Sequence, residues 1–471
     1  MNNKLTKFIK NFSYAFVSNL ISLFISTLVI IIVPKLIGVE KYGYWQLYLF
    51  YSSYAGFLLF GWNDGIYLRY GGKEYKNLDQ RLFFSQFHLA ALFQGLFCII
   101  LLCISGIIVD ENKSTIFRMV ALSLFITNVR GILLYTLQGT NKIREYSQIT
   151  ITDRLLYCCL VVAFLISGAR DYRLIILADL IGKSISLFYS VYCCRDIVFR
   201  RISTFYFSFT ETIENINAGI KLMFANIASM LIIGVIRFGI ERTWDVATFG
   251  KVSLTLSVSS LVMLFINAAG IIMFPTLRRV DGQKLPNIYV NMRNALMVLL
   301  FGILIIYYPL RVALSAWLPK YTDSLAYMAM LFPMCIYEGK MVLLINTFLN
   351  TLRKEKKVLN VNLVSLALSV VFTYATTALF RNLDLAIVSI VILLAFRCVL
   401  AEIYLSKVLS IYFSKDTVLE FILTLVFILA GWFVSSWFAV IIYAVAYLLY
   451  LLIKKKDIVY TLRNIKLLMV A

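Results

Sequence analysis

From Phe12 to Val33 the chain carries no charged side chain. A helix rises about 1.5 Å per residue, so a run of roughly 20 apolar residues crosses the ~30 Å hydrocarbon core of a bilayer. Comparable runs recur along the chain, near 12–34, 44–66, 83–109, 116–138, 148–168, 174–194, 218–240, 246–274, 294–318, 325–350, 358–380, 385–406, 418–436 and 437–453. They are continuous and do not alternate at every second residue, which predicts helices and not barrel strands. With 61% hydrophobic residues and a mean hydropathy of +0.86, the chain holds more apolar surface than a soluble core needs. No polar stretch is long enough for a separate soluble domain. The first run is too long for a signal-peptide core and lacks a small-residue cleavage site, so it reads as a span. The last two runs are short enough to be one oblique hairpin.

The formal charge of +21 would suggest nucleic acid in a soluble protein. Here the basic residues gather between spans, as they do in the cytoplasmic loops of membrane proteins, so no nucleic-acid partner is expected. With the N-terminus inside, the connections that should be cytoplasmic carry Arg69, Lys73, Lys76 and Arg81; Lys142 and Arg144; and Arg195, Arg200 and Arg201. The series continues with Arg278, Arg279, Lys284 and Arg293; Arg353, Lys354, Lys356 and Lys357; and Lys407 and Lys415. It ends with Lys454, Lys455, Lys456, Arg463 and Lys466. The opposite connections hold one or two basic residues each, often offset by Asp110, Glu111, Asp171 or Asp384. Fourteen spans with both termini cytoplasmic satisfy this pattern.

The eight cysteines lie within apolar segments without clustered histidines, and read as small hydrophobes. His88, the single histidine, sits in a span and reads as packing. There is no phosphate-binding glycine loop, nucleophile motif or metal-ligand spacing, so neither catalysis nor a cofactor or metal is expected. The connection 195–217 is the longest. Its Arg200, Arg201, Phe205, Phe207, Phe209, Glu211 and Glu214 suit an interfacial amphipathic helix, or else an irregular linker.

That connection separates two self-similar halves. Asn19 matches Asn226 and Gly43 matches Gly250, both 207 apart (226 − 19, 250 − 43). At the same offset Ser22, Ile25, Val39, Leu47, Ser52 and Ser53 meet identical residues, while Tyr42 meets Phe249. An odd span aligned with an odd span implies parallel repeats about an axis along the membrane normal.

The long first helix, the segment GVEKYGYWQLY at 38–48 and the second helix ending GWNDGIYLRYGG at 61–72 resemble the multidrug/oligosaccharidyl-lipid/polysaccharide (MOP) exporter superfamily. The likeness is greatest to Wzx-type polysaccharide flippases, whose first loop commonly ends in a Tyr-Gly like Tyr42-Gly43, and it covers roughly 8–412. It implies an all-α membrane protein with about fourteen transmembrane helices. Two six-helix bundles, 1–194 and 218–412, would be joined by a cytoplasmic linker at 195–217. Two accessory helices and a basic tail would fill 413–471. The resemblance further implies a bacterial inner membrane, a monomeric transport unit, and an undecaprenyl-diphosphate-linked oligosaccharide moved through a central cavity. Membrane lipids, a polysaccharide polymerase and a chain-length regulator are the implied partners.

A diphosphate head group crossing hydrocarbon needs cations on its path, and mid-span charges cost about 2.5–3.5 kcal/mol each on insertion scales. Five basic residues are assigned to spans: Arg130, Lys183, Lys340 and Arg397 at depth, and Arg237 near the outer boundary. Each is a candidate for diphosphate or glycan, or for a structural ion pair. Lys183 follows Asp179 by four, on the same helix face. Arg130 has no acidic residue within a turn on its own helix, and Arg397 has only Glu402, five positions on. In the tenth span Pro333 should act as a hinge. Glu338 is a candidate for ion coupling or pairing across helices, since Lys340, two positions on, faces elsewhere. Asn19 and Asn226 either face the cavity or bond between helices. Asp64, with Arg69 nearby, closes the second span, where Gly56, Gly61 and Gly65 allow close helix approach. Deep cations argue against a drug antiporter, which needs acidic residues, and short external loops argue against a glycosyltransferase.

Overall fold

The computed structural model describes residues 3–277, 282–412, 414–434 and 437–470. Arg278 and Arg279, counted among the basic connections, lie outside them. The protein is an all-α, multi-pass membrane protein, with no strand among the described residues.

The first part of the chain forms α1 (Asn3–Ile37), α2 (Val39–Ser53), α3 (Trp62–Tyr70), α4 (Gln80–Ile107), α5 (Glu111–Gly139), α6 (Ile143–Ile166) and α7 (Tyr172–Cys193). The short α8 (Arg195–Val198), α9 (Phe209–Thr243) and α10 (Val246–Leu277) follow. After them come α11 (Leu285–Trp317), α12 (Met328–Thr351), α13 (Glu355–Leu379), α14 (Leu383–Leu409), α15 (Ser414–Phe433), α16 (Phe438–Ile453) and α17 (Lys455–Val470). Among the described residues twelve helices are long and apolar enough to cross a membrane, or thirteen if α16 and the start of α17, bent by 66°, count as one. Two compact units, Met1–Ile227 and Ala228–Ala471, divide the chain, and their boundary falls inside α9.

The expected second span is not one helix. Gly38, at φ 84°, is the entire connection after α1, so Tyr42 and Gly43 stand inside α2 and not at a loop's end. The chain then breaks at a short 3₁₀ turn, Ala55–Leu59, and reverses at Phe60 (φ 52°) and Gly61 (φ 79°) before α3. A broken helix at membrane depth frees carbonyls that need donors. Two buried amides supply them: Asn128 Nδ2 donates to the Ala55 carbonyl (2.9 Å) and Gln94 Nε2 to that of Leu58 (3.0 Å). Asn128 also donates to Gln94 Oε1 at 2.8 Å, which fixes both amides.

The linker likewise differs from an interfacial helix. Beyond α8 and a 3₁₀ turn at Ile202–Thr204, residues from Phe209 onward already belong to α9. Its carboxylates are drawn inward by Arg69, which donates to Glu211 Oε1 (2.5 Å), Glu214 Oε2 (2.5 Å) and Asn215 Oδ1 (2.6 Å). Gln86 donates to Ser208 Oγ (2.6 Å) and Thr212 Oγ1 (3.0 Å), and accepts from Trp62 Nε1 (2.9 Å). The segment is therefore part of the first unit.

Here α3 crosses α9 at backbone contact. A Cβ on Gly65 would lie 1.8 Å from the Asn215 carbonyl oxygen, and one on Gly219 would lie 2.0 Å from that of Gly61. A Cβ on Gly56 would meet nothing within 4 Å. Added side-chain atoms in a filled contact cost about 1–3 kcal/mol when neighbours cannot yield, and backbone cannot. Gly65→Ala and Gly219→Ala are thus expected to lower the thermal midpoint of the detergent-solubilised protein by several degrees. Gly56→Ala should leave it within measurement error. Equal behaviour of the three variants would refute this crossing.

Candidate functional site

In the first unit two intramembrane cations meet carboxylates, one within its own helix and one on a neighbouring helix. Asp179 and Lys183, one turn apart on α7, are bridged at 2.6 Å. Tyr48 of α2 donates to Asp179 Oδ2 at 2.5 Å, and Lys183 Nζ donates to Ser123 Oγ of α5 at 3.0 Å. Arg130, on α5, reaches across to Asp153 of α6 (2.7 Å) and Ser186 Oγ of α7 (2.8 Å). Asp153 is 23 positions from Arg130, too far for local spacing to reveal the pair.

In the second unit Arg397 of α14 uses three nitrogens in three directions. Nε donates to Asn362 Oδ1 of α13 (2.9 Å), Nη1 to Glu338 Oε1 of α12 (2.8 Å) and Nη2 to Ser229 Oγ of α9 (2.9 Å). One planar fork thereby ties four helices together, a geometry a lysine cannot reproduce. Glu402, five positions beyond Arg397, is about 140° further round the helix and serves a different set.

That set is a closed ion network. Lys340 Nζ donates to Glu402 Oε2 (2.6 Å) and Glu420 Oε2 (2.8 Å), while Arg293 bridges Glu402 at 2.8 Å, Glu420 at 2.6 Å and Asp416 at 3.1 Å. Two cations thus face two central carboxylates, in a place where charge must cancel. Arg293, counted in sequence as a connection residue, is instead buried, because α11 begins at Leu285 and carries it two turns inside.

Side-chain exposure differs among these cations. Lys340 and Arg293 are each 1% exposed, enclosed by their carboxylates. Arg397 is 4% exposed, though the Glu338 that holds it is 18% exposed, while Arg130 and Lys183 are 11% and 14% exposed. Arg130 and Lys183 are thus the more accessible of the paired cations, whereas the Lys340 network braces α11, α12, α14 and α15.

The other candidates fall into place as follows. Arg237 is half-buried, donates to Ser253 Oγ of α10 (3.0 Å) and lies 5.3 Å from the Phe249 ring centroid. Asn19 and Asn226 are both exposed, on α1 and α9. Asp64 is half-buried in the first turn of α3, and Arg69 pairs with α9 instead of with it. Pro333 interrupts α12 at Phe332–Pro333, and a π-helical stretch at Met341–Asn346 follows one turn beyond Glu338.

No family model and no curated protein matches this sequence. Solved structures do. The lipid II flippase MurJ in an inward closed conformation aligns at a TM-score of 0.68, covering 96% of this chain and 100% of that one at 12% identity. An inward-facing multidrug resistance MATE family transporter of the MOP superfamily aligns at 0.62, covering 89% and 100% at 12% identity. An outward-facing MATE transporter aligns at 0.58, covering 85% and 96% at 14% identity. The chain has the MATE/MurJ fold.

Within that fold the sequence reading missed several charges. It counted five intramembrane cations, but Arg154 on α6 and Arg311 on α11 also lie inside spans, the latter donating to the Gly431 carbonyl at 3.0 Å. Glu420 escaped notice because α15 was read only as an accessory helix. A tally of acidic residues within apolar runs finds Asp153 and Glu420.

Removing one member of a buried network strands its partners, at about 3–5 kcal/mol. Lys340→Met should therefore sharply reduce monodisperse yield and thermal midpoint in detergent. Adding Glu402→Gln to Lys340→Met should restore part of the loss, and an additive double mutant would show that the two groups are not coupled.

Proposed function

We propose that the chain is a flippase that moves an undecaprenyl-diphosphate-linked oligosaccharide, such as an O-antigen or other surface-polysaccharide repeat unit, from the cytoplasmic to the outer leaflet by alternating access. The observation that carries this reading is the set of paired cations within spans, Arg130 with Asp153 and Lys183 with Asp179, both partly exposed, and the more enclosed Arg397 beside an accessible Glu338. A diphosphate replaces a carboxylate on a guanidinium with equal geometry and greater charge, because both offer paired oxygens to the same fork. Each cation is held neutral by its carboxylate until cargo arrives, and the carboxylate returns when cargo leaves. The exposed amides of Asn19 and Asn226 fit a polar path, since an amide facing hydrocarbon without a partner costs about 1–3 kcal/mol.

Membership of the MOP superfamily, a bacterial inner-membrane location, cytoplasmic termini and a monomeric transport unit belong to the same proposal. So do working partners that polymerise the glycan and regulate its length. A lipid II-type flippase is the second reading, favoured by the alignment with MurJ over 96% of this chain, against 89% for an inward-facing MATE transporter. A drug antiporter of the same fold is the further alternative, which the transport test below separates from both.

The test is transfer across proteoliposomes. Lipid-linked oligosaccharide diphosphate should be moved, and Arg397→Lys should slow it about tenfold or more, the loss of roughly one 1.4 kcal/mol interaction, while the fold survives. Transport of a cationic drug with no lipid transfer would overturn the proposal. Lipid II moved in preference to glycan-bearing lipid would favour the second reading. Glu338→Gln, which weakens the hold on Arg397, should alter the transfer rate, and an unchanged rate would remove Glu338 from the cycle.

A further inference from the structure

The C-terminal helix α17 does not continue α16. The chain turns by 66° at Lys454, and the turn is fixed by a buried ammonium. Lys454 Nζ donates to Asp416 Oδ1 of α15 at 2.9 Å and to Asp457 Oδ2 of α17 at 2.6 Å. Asp416 in turn bridges Arg293, so the bend is tied to the buried network. One face of α17 is laid on α11, where Thr461 Oγ1 donates to Asn291 Oδ1 at 3.3 Å and Ile458 is half-buried.

The opposite face is built differently. Lys455, Lys456, Val459, Tyr460 and Arg463 are all exposed, and no ion pair engages the three cations among the described residues. Positions 456, 459, 460 and 463 follow the i, i+3, i+4, i+7 spacing of a single helix face. That face places a valine and a tyrosine between two long basic side chains. The nearest acid, Asp457, is already occupied by Lys454. Apolar groups that reach acyl chains, flanked by cations that rise to headgroups, are the pattern of a helix lying in a membrane surface.

We propose that α17 is a membrane-surface helix and that Lys455, Lys456 and Arg463 form a binding site for anionic phospholipid headgroups. The occupant follows from charge: an uncompensated basic face with interleaved apolar residues suits a negative, amphiphilic surface better than a neutral one. The inference rests on α17 meeting the bilayer surface and not on the identity of the cargo.

Hydrogen–deuterium exchange of the full chain in nanodiscs tests it, comparing neutral phosphatidylcholine with a mixture about one-third phosphatidylglycerol. Amides of α17 should exchange more slowly in the anionic discs, by about fivefold for each engaged basic residue, and high salt should remove the difference. The variant Lys455→Gln/Lys456→Gln/Arg463→Gln should exchange alike in both discs, while Lys455→Arg/Lys456→Arg should keep the wild-type contrast. Amides of α5 and α14 report that the fold is intact. Equal protection of α17 in neutral and anionic discs would overturn the proposal. Protection that depends on protein concentration and not on lipid charge would also overturn it, assigning the face to a second copy of the chain. Transfer of lipid-linked cargo is a separate readout, so loss of either proposal is distinguishable.

Discussion

A charge carried into hydrocarbon must bring its counter-charge with it, and the interior of this protein is arranged by that requirement. Arg130 finds Asp153, Lys183 finds Asp179, Arg397 finds Glu338, and Lys340 with Arg293 finds Glu402 and Glu420. Every one of these sets except the α7 pair joins different helices. Neutrality therefore doubles as cross-bracing, and the helices that hold a set cannot separate without exposing an uncompensated ion. The same rule governs uncharged groups: the break after α2 persists because Asn128 and Gln94 supply the donors its carbonyls lack.

The sets differ in what they leave available. Enclosure makes the Lys340 network a fixture, since an incoming anion has no approach to an ammonium that is 1% exposed. Arg130 and Lys183, at 11% and 14%, are less enclosed, and Arg397, at 4%, lies between the two cases.

Much of the fold could be read from the sequence because apolar length is a one-dimensional signal. The runs 116–138 and 148–168, which fall on the helices Glu111–Gly139 and Ile143–Ile166, needed no knowledge of neighbours, and the match of Asn19 with Asn226 pointed to the repeat. Failures came where the deciding partner is distant in sequence. Nothing near 54–61 announces a break, because its donors come from α4 and α5. Nothing near Arg130 announces Asp153, and Arg293 looked like a connection residue until α11 was seen to begin a full two turns earlier. Ion pairs one turn apart, such as Asp179–Lys183, were legible for the same reason that the others were not.

The two left-handed residues Asn141 and Arg353, each between consecutive spans, are 212 apart (353 − 141), while Gly168 and Arg381, the next such pair, are 213 apart (381 − 168). Between them α6 spans 24 residues and α13 spans 25, and α13 alone ends in a π-helical stretch, Tyr374–Leu379. A π turn bonds i to i+5 and so holds one residue more than an α turn. The π-helical stretch is thus where α13 can hold its one extra residue, as a local widening that leaves the faces of the preceding α-helical turns in place.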